Sequence, residues 1–263
     1  MNWSEFKIEI AAGSPTSPKF RLLRDDGSTR ILFRGQSNAE WRIQSTLERW
    51  GQTEVSLDSY MRMCDSARRY MGNLVPVDIS FEEPSHYTSD HIRVTIPNYR
   101  FLGFLRHHGF PSPLLDWTES PYVAAFFAFR SIPEGVGEVS IFGYQDKTAR
   151  CTFKALNSPH IQTLGPFEHI HERHVAQQCW YTYCVKEEKN DSITLCPHED
   201  ALLNSRIVDS ESGDHLQEWR IDASEREVVL GDLFQMNITP FNLFRSVDSA
   251  AETAALRVIP PNT

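Results

Sequence analysis

An uninterrupted apolar run from Tyr122 to Phe129 is the strongest hydrophobic signal in the chain. Ser120 and Pro121 precede this run, and both residue types favour the first turn of a helix. A helix that is apolar on all sides belongs in a protein core. The pattern therefore predicts a buried helix entered from a loop over residues 107–118, which would hold reactive side chains still. The alternative is that Asp116 and Thr118 only cap the helix.

Four further runs favour β-structure. Residues 29–36 form a short β-like run ended by Gly35, and residues 138–144 alternate between apolar and polar side chains. The aromatic run over 173–185 predicts a central strand, and residues 216–221 predict another.

Helical spacing of apolar residues predicts four more helices, over 56–69, 97–107, 225–236 and 241–256. Five segments are predicted to be irregular: 1–28, a turn-rich flexible entry or short edge element to which we assign no function; 73–91, a long excursion or lid; 146–168; and the loops at 186–192 and 204–214. We find no internal repeat and no linker. The prediction is one α+β domain over residues 29–256, with an N-terminal extension (1–28) and a C-terminal tail (257–263).

The formal net charge is -9 and the sequence pI is about 5.6, so the whole chain carries no electrostatic signature for nucleic acid or anionic membranes. A local basic groove is compatible with this balance. The five cysteines are odd in number and scattered, which predicts reduced thiols. With no secretory leader and no apolar stretch of membrane-spanning length, the sequence predicts a cytoplasmic protein with no membrane partner.

Ten histidines raise the question of a metal site, above all His169, His171 and His174 with Glu172. Their spacing matches no zinc signature, so we expect no metal. The glycine-rich phosphate motifs of the common nucleotide-binding folds are also absent from the sequence, which removes support for those folds.

Arg34 lies at the end of the first predicted strand, where an arginine can bind a phosphate or a carboxylate with its planar fork. Gly35 would let a ligand approach the backbone closely. The alternative is that Arg34 pairs with a structural acid such as Asp116, and the sequence does not decide between the two.

The sequence gives little support to a hydrolase that uses a Cys/His or Ser/His pair. Cys179 and Cys184 lie among aromatic residues, which predicts inert buried thiols. His107 and His108 are candidate general bases, although His108-Gly109 fits a helix C-terminus better. Trp180, Tyr181 and Tyr183 could stack on bases, but at strand spacing such aromatics more often belong to a core.

Three sequence blocks resemble the FRG domain family. They are Phe33-Arg34-Gly35-Gln36; His108-Gly109-Phe110-Pro111 followed by Leu114-Leu115-Asp116-Trp117-Thr118; and Arg173-x-x-Ala176-Gln177-Gln178. The resemblance spans roughly residues 30–244. Ser112-Pro113 stands where the family has Thr-Arg, and Cys179 stands where it has a glycine, which argues against a positive φ at that position.

The resemblance also implies a layout similar to that of ADP-ribosyltransferases. It implies that Arg34 holds the pyrophosphate or the nicotinamide ribose, that Gly35 lets the nicotinamide amide approach, and that Thr118 or Ser112 orients the ribose. The transferase needs a carboxylate beside the ribose, for which Asp116 is preferred to Glu172 and Glu218. The implied catalytic residues are Arg34, Asp116 and Gln177, and the implied cofactor-binding residues are Arg34, Gly35, Gln36, His108, Gly109, Ser112, Leu115, Thr118 and Arg173.

By this resemblance we expect an ADP-ribosyltransferase-like fold: an α+β domain with a central, mostly antiparallel sheet flanked by helices. The expected function is an NAD-dependent ADP-ribosyltransferase that acts as a toxin or phage-defence effector, with NAD as substrate and no metal. Its acceptor would be a protein or a nucleic acid, and an antitoxin is a possible partner. The alternative is a module that binds a nucleotide, nucleic acid or protein through the same pocket without catalysis.

Overall fold

The strands of the protein form one antiparallel sheet with helices packed against it. The structure, a computed structural model, describes residues 1–11, 30–76, 78–81, 96–146, 157–165, 172–188, 192–207 and 215–259. Within these ranges the chain is α+β, as the sequence predicted. None of the described helices is both long and apolar enough to cross a lipid bilayer.

The strands are β1 (Arg30–Gln36), β2 (Val55–Ser56), β3 (Leu115–Thr118), β4 (Glu138–Asp146), β5 (His160–Leu164), β6 (Cys179–Glu187), β7 (Ile193–Leu195) and β8 (His215–Asp222). In the described part of the chain their order across the sheet is β2-β7-β6-β3-β1-β4-β8, and β5 pairs separately with β6. β1 and β3 therefore lie near the middle, with long-range partners on both sides.

The helices are α1 (Trp3–Ala11), α2 (Thr46–Arg49), α3 (Leu57–Met71), α4 (Tyr99–His107), α5 (Pro121–Phe129), α6 (Glu172–Gln177), α7 (His198–Ile207), α8 (Arg226–Gln235), α9 (Pro240–Phe244) and α10 (Val247–Val258). α3, α4 and α8 follow the helical spacing seen in the sequence. The predicted helix over 241–256 is instead two helices, because Arg245 adopts a left-handed conformation between α9 and α10.

Helix α5 is the buried helix that the apolar run predicted. Ser120 caps it, since its side chain accepts a hydrogen bond from the backbone N–H of Val123, and Pro121 occupies its first turn. The helix packs so closely on β1 that a Cβ at Gly35 would lie 1.9 Å from the carbonyl oxygen of Ala124. A glycine is therefore needed at this position for helix–strand packing.

Residues 115–118, predicted as part of a loop, form strand β3 instead. Trp117 pairs with Trp180 of β6, and Thr118 pairs with Phe33 of β1. These pairings join residues that are distant in the sequence, so no local pattern around Asp116 could indicate them. The correction places Asp116 on a strand between two others, which is a more rigid position than a loop.

The predicted central strand over 173–185 begins later than expected. Residues 172–177 form helix α6, and β6 starts only at Cys179. Gln178 joins the two with a φ of +48°, one position before the residue that replaces the family's glycine. Cys179 can therefore be a strand residue, and β6 does occupy an inner position in the sheet.

Residues 1–11 contain helix α1 and are part of the core, and they form neither the flexible entry nor the short edge element that the sequence predicted. Trp3, Phe6 and Ile10 of α1 are buried and pack in the same cluster as α5, β4 and β8. The rest of the predicted extension, residues 12–29, lies outside the described residues.

Three predictions of irregular structure have a partial outcome. The segment 146–168 contains strand β5 at His160–Leu164, which the sequence did not indicate. The predicted lid over 73–91 lies mostly outside the described residues, because only 73–76 and 78–81 are described. The loop predicted at 204–214 begins as the last turn of α7, and residues 208–214 are again outside the described part.

Candidate functional site

A cavity of about 870 Å³ opens beside the middle of the sheet, where β1, β3, α4 and α6 meet. Its volume lies within the range of small-molecule and cofactor sites. The lining residues that matter chemically come from β1 (Arg34, Gly35, Gln36), the following segment (Glu40, Trp41, Arg42, Gln44, Thr46, Arg49), α4 (Arg106, His107), β3 (Asp116, Thr118), and α6 with its neighbours (Arg173, Gln177, Cys179, Phe244).

Arg34 projects into this cavity from β1 and is fixed at one end only. Its Nη1 donates a hydrogen bond of 2.8 Å to the backbone carbonyl of Asp116, whereas its buried Nε has no hydrogen-bond partner. Burial lowers the pKa of Arg34 to about 10, so the group is still cationic at neutral pH. A buried donor without a partner costs free energy, and the positive charge of Arg34 lies at the wall of the cavity.

Asp116 is held by Arg106 in a two-point ion pair. Arg106 Nε donates to one carboxylate oxygen of Asp116 at 2.7 Å, and Arg106 Nη2 donates to the other. Burial alone raises the pKa of Asp116, but Arg106, with help from Arg34 and His107, outweighs it and the pKa lies below its ordinary value. Because its pKa is lowered, the carboxylate is ionised at neutral pH. The Asp116 side chain is 45% exposed and lines the cavity.

The structure answers one part of the question that the sequence left open for Arg34, namely whether it pairs with the Asp116 carboxylate; ligand binding by Arg34 stays a prediction. Arg34 reaches the backbone of Asp116, and the carboxylate pairs with Arg106, which the sequence analysis did not identify. Arg106 lies on α4, and only the tertiary fold brings it to Asp116. No local spacing signals the pair.

Arginines outnumber carboxylates in the described lining of the cavity. Arg34, Arg42, Arg49, Arg106 and Arg173 all line it, against Glu40 and Asp116. The two carboxylates are themselves paired, Asp116 with Arg106 and Glu40 with Arg220. This local excess of positive charge, in a chain with a net charge of -9, suits an anionic ligand.

Thr118 and Gln177 belong to one hydrogen-bonded junction at the cavity wall. Thr118 Oγ1 donates to the backbone carbonyl of Gln177 at 2.6 Å and accepts from the N–H of Ser120. Gln177 Nε2 donates to the carbonyl of Leu243 at 3.0 Å. Both side chains line the cavity while also joining β3, α6 and α9, so they serve the fold as well as any ligand.

Arg173 and Gln36 also line the cavity with structural contacts of their own. Arg173 Nε donates to the carbonyl of Phe244 at 3.0 Å, and its guanidinium lies 5.6 Å from the centre of the Phe244 ring. Gln36 Nε2 donates to the carbonyl of Trp41 at 2.9 Å, which fixes the segment after β1.

Four of the expected cofactor-binding residues do not line the cavity. His108 and Gly109 form the C-terminal cap of α4, where His108 is exposed and Gly109 has a φ of +84°. This is the helix-end role weighed for His108-Gly109 in the sequence. Ser112 is fully buried and accepts a hydrogen bond from the N–H of Leu114, and Leu115 is buried on the apolar side of β3.

Of the other carboxylates considered, Glu218 lies away from the cavity on β8. It accepts hydrogen bonds from Ser140 Oγ at 2.7 Å and from Arg220 Nε at 3.1 Å. The side chain of Glu172 lies outside what the structure describes. Of the candidate carboxylates whose side chains the structure describes, Asp116 is therefore the one that reaches the cavity.

His107 lines the cavity and contacts a second histidine behind it. Its Nε2 lies 2.7 Å from His174 Nε2, and the Tyr181 hydroxyl lies 2.8 Å from the same His174 nitrogen. Two ring nitrogens at this distance share one proton, so one of them accepts. Tyr181 is buried with Trp180 and Tyr183, which makes this aromatic strand part of the core, as the sequence favoured.

The described histidines and acids form no group of three that could hold a metal ion. His169 and His171 of the histidine cluster lie outside the described residues, so the expected absence of a metal stays a prediction.

A second polar chain, through Glu48, His198 and Thr182, has the order of a hydrolase triad. Glu48 Oε1 lies 3.0 Å from His198 Nδ1, and His198 Nε2 lies 3.1 Å from Thr182 Oγ1. Thr182 also accepts from Trp117 Nε1 and is fully buried. The three groups are sealed inside the core and do not line the cavity, so they join β3, β6, α2 and α7 and offer no nucleophile to a substrate.

These observations define an α+β protein with a central antiparallel sheet and an arginine-lined cavity at its middle strands. The family model described as FRG domain matches residues 29–135, so the chain contains an FRG domain over this range. The match covers β1, the α4–β3 segment and α5, whereas β4 and all later elements lie beyond it. No curated protein and no solved structure matches the chain.

Proposed function

We propose that the protein is an NAD-dependent ADP-ribosyltransferase whose active site is the arginine-lined cavity. The observation that carries the proposal is the convergence of Arg34 and Asp116 on this one cavity. A cation for a pyrophosphate and a carboxylate for a developing sugar cation are what this chemistry requires.

In the proposed complex, the pyrophosphate of NAD binds to Arg34 and to the other cavity arginines. Arginine forks match phosphate oxygens in a two-point geometry. Phe127 and Phe244 supply apolar wall for the ring systems of the dinucleotide.

The reaction breaks the bond between the ribose C1′ and the nicotinamide nitrogen, and nicotinamide leaves with the bonding electrons. Positive charge then develops on the ribose, and the ionised Asp116 stabilises it. The nucleophile of the acceptor forms the new bond to C1′ and loses a proton to solvent water. Arg106 keeps Asp116 ionised and oriented, and Thr118 and Gln177 line the wall beside it.

Labelled NAD tests the proposal directly. The wild-type protein should release nicotinamide and transfer label to an acceptor in a cell lysate. Arg34→Ala and Asp116→Asn should each lower release by at least about two orders of magnitude, the scale of losing a transition-state contact. Glu218→Gln is the matched control, because this carboxylate lies outside the cavity. No release by the wild type would remove the proposal.

A second candidate function is binding of a nucleotide without catalysis. The two-point ion pair between Arg106 and Asp116 favours it, because a paired carboxylate stabilises a nearby cation less than an isolated one. Calorimetry separates the two functions: heat of NAD binding that depends on Arg34, with no nicotinamide released over hours, would establish the binding module.

The wider role that we propose is that of a toxin or phage-defence effector acting on a protein or nucleic acid, with an antitoxin as partner. The motif resemblance is its support. Expression of the wild type should arrest growth, and Asp116→Asn should relieve the arrest at equal protein level. Growth unaffected by the wild type would overturn this part.

A further inference from the structure

The outer wall of the cavity carries an exposed tryptophan between charged residues. Trp41 is 51% exposed, and together with Arg42 and Arg49 it lines the cavity, within the stretch that joins β1 to the end of α2. We call Trp41, Arg42 and Arg49 the rim. An exposed aromatic ring beside two arginines at the edge of a cavity offers a stacking face next to positive charge.

The backbone of the segment that carries Trp41 is tied to the sheet. Ala39 N–H donates to the carbonyl of Glu138 at 2.9 Å, and Gln36 Nε2 donates to the carbonyl of Trp41 at 2.9 Å. Arg220 pairs with Glu40 at 2.7 Å, which neutralises the carboxylate next to Trp41. These contacts tie the segment to β1, β4 and β8 and reduce the entropy that binding would cost.

The two rim arginines have no strong ion pair among the described contacts. Arg42 has a side chain that is 72% exposed, and its nearest carboxylate contact is Glu199 at 3.7 Å, a solvent-exposed pair of little strength. Arg49 donates to the backbone carbonyl of Gln44. Burial and then the nearby Arg106 lower the pKa of Arg49, while Glu48 and Asp116 act in the opposite direction. Arg42 and Arg49 therefore offer positive charge at the rim to a polyanion.

We propose that the rim binds a single-stranded nucleic acid, with a base stacked on Trp41 and its phosphates on Arg42 and Arg49. Stacking on an exposed aromatic ring beside arginines is how proteins hold unpaired strands without reading sequence. The strand would then lie at the mouth of the cavity that contains Asp116. The strand's role as the acceptor of ADP-ribose rests on the proposed function. Its binding to the rim does not, because binding requires no turnover.

Fluorescence anisotropy with end-labelled 12-nucleotide RNA and DNA of mixed sequence tests the binding. Trp41→Ala should weaken it by about tenfold or more, the scale of losing one stacked base. Arg42→Gln should reduce the slope of log affinity against log salt concentration by about 0.7, the value for one phosphate contact on a single strand. Circular dichroism checks that each variant is folded.

The matched control is Trp50→Ala. Trp50 is 72% exposed and follows Arg49 directly, but it does not line the cavity. Its loss should leave the affinity unchanged. No binding by the wild type, or an equal effect of the two tryptophan substitutions, would overturn the proposal.

Label transfer from NAD identifies the acceptor. Transfer to added RNA or DNA, reduced by Trp41→Ala, supports the rim as the acceptor site, and transfer to protein alone overturns that role. If strand binding depends on Trp41 while no nicotinamide is released, the transferase proposal fails and the rim proposal stands, so the two failures are distinguishable.

Discussion

Arg106 and Asp116 join helix α4 to strand β3 through two hydrogen bonds, one of them 2.7 Å from Nε to Oδ1. Removing Arg106 alone leaves the carboxylate without its partner. We expect Arg106→Met to lower the free energy of unfolding by about 2 kcal/mol, less than for a fully buried pair because Asp116 is 45% exposed. Urea denaturation measures it. The double variant with Asp116→Asn should lose less than the sum of the single losses, and simple additivity would contradict an energetic pair.

The pair of Arg106 and Asp116 also predicts how the free energy of unfolding changes as the pH falls. The pKa of Asp116 lies below its ordinary value in the folded protein. Its contribution to stability is therefore complete above the unfolded pKa of about 3.9 and is lost as the pH falls towards the lower folded pKa. Asp116→Asn should flatten the fall in free energy of unfolding between about pH 4 and the acid limit of the measurement. An unchanged profile would show that Asp116 is not stabilised in the folded state.

Gly35 tests the close packing of β1 against α5. A Cβ here would lie 1.9 Å from the Ala124 carbonyl oxygen and 2.7 Å from the Ala128 nitrogen, both backbone atoms that cannot turn aside. We expect Gly35→Ala to lower the free energy of unfolding by about 3 kcal/mol or more, or to prevent soluble expression. Gly231→Ala is the control. Gly231 lies in α8 with nothing near its Cβ, so alanine should stabilise by up to about 1 kcal/mol.

The elements that the sequence predicts best are those specified by nearby residues. Helix α5 follows from its apolar run, Ser120 and Pro121, and β1 follows from its apolar residues and Gly35. Both signals are complete within about ten residues, so a single sequence suffices to find them.

The parts that the sequence did not predict depend on distant partners. Strand β3 is short and follows two prolines, and it becomes a strand through its pairing with β1 and β6. In the sequence Arg106 is one helical arginine among others, and only the packing of α4 beside β3 brings it to Asp116. For the same reason, Arg34 and Asp116 could be proposed as neighbours but Arg106 could not be found. The core role of α1 had a local signal, the helical spacing of Trp3, Phe6 and Ile10, which the turn-rich residues after it obscured.

Trp3 provides a test of that N-terminal helix. It is fully buried, stacks on Phe6, and its Nε1 donates to Asp232 at 2.8 Å. Trp3→Ala should lower the free energy of unfolding by about 3 to 5 kcal/mol, because it leaves a cavity and removes one of the two described donors to Asp232, the other being Lys7. Ile8→Ala, at a position 65% exposed on the same helix, should cost less than about 1 kcal/mol. Equal effects in urea denaturation would mean that α1 is not part of the core.

Cys179 distinguishes the proposed transferase from a thiol hydrolase. Its side chain lines the cavity, and burial, followed by the negative charge of Asp116, raises the pKa of the thiol to about 12. At pH 8 only about one thiol in ten thousand would then be ionised, and the thiolate is the reactive form. Iodoacetamide should therefore modify Cys179 roughly a thousandfold more slowly in the folded protein than in urea, as measured by peptide mass spectrometry.

Asp116→Asn should increase the rate at which Cys179 is modified in the folded protein, because it removes the second cause of the raised pKa. Burial should still keep this rate well below that in urea. Fast alkylation of the folded wild type at pH 8 would show an activated thiol, and it would make Cys179, with His107 at the same cavity, a nucleophile to be tested in its own right.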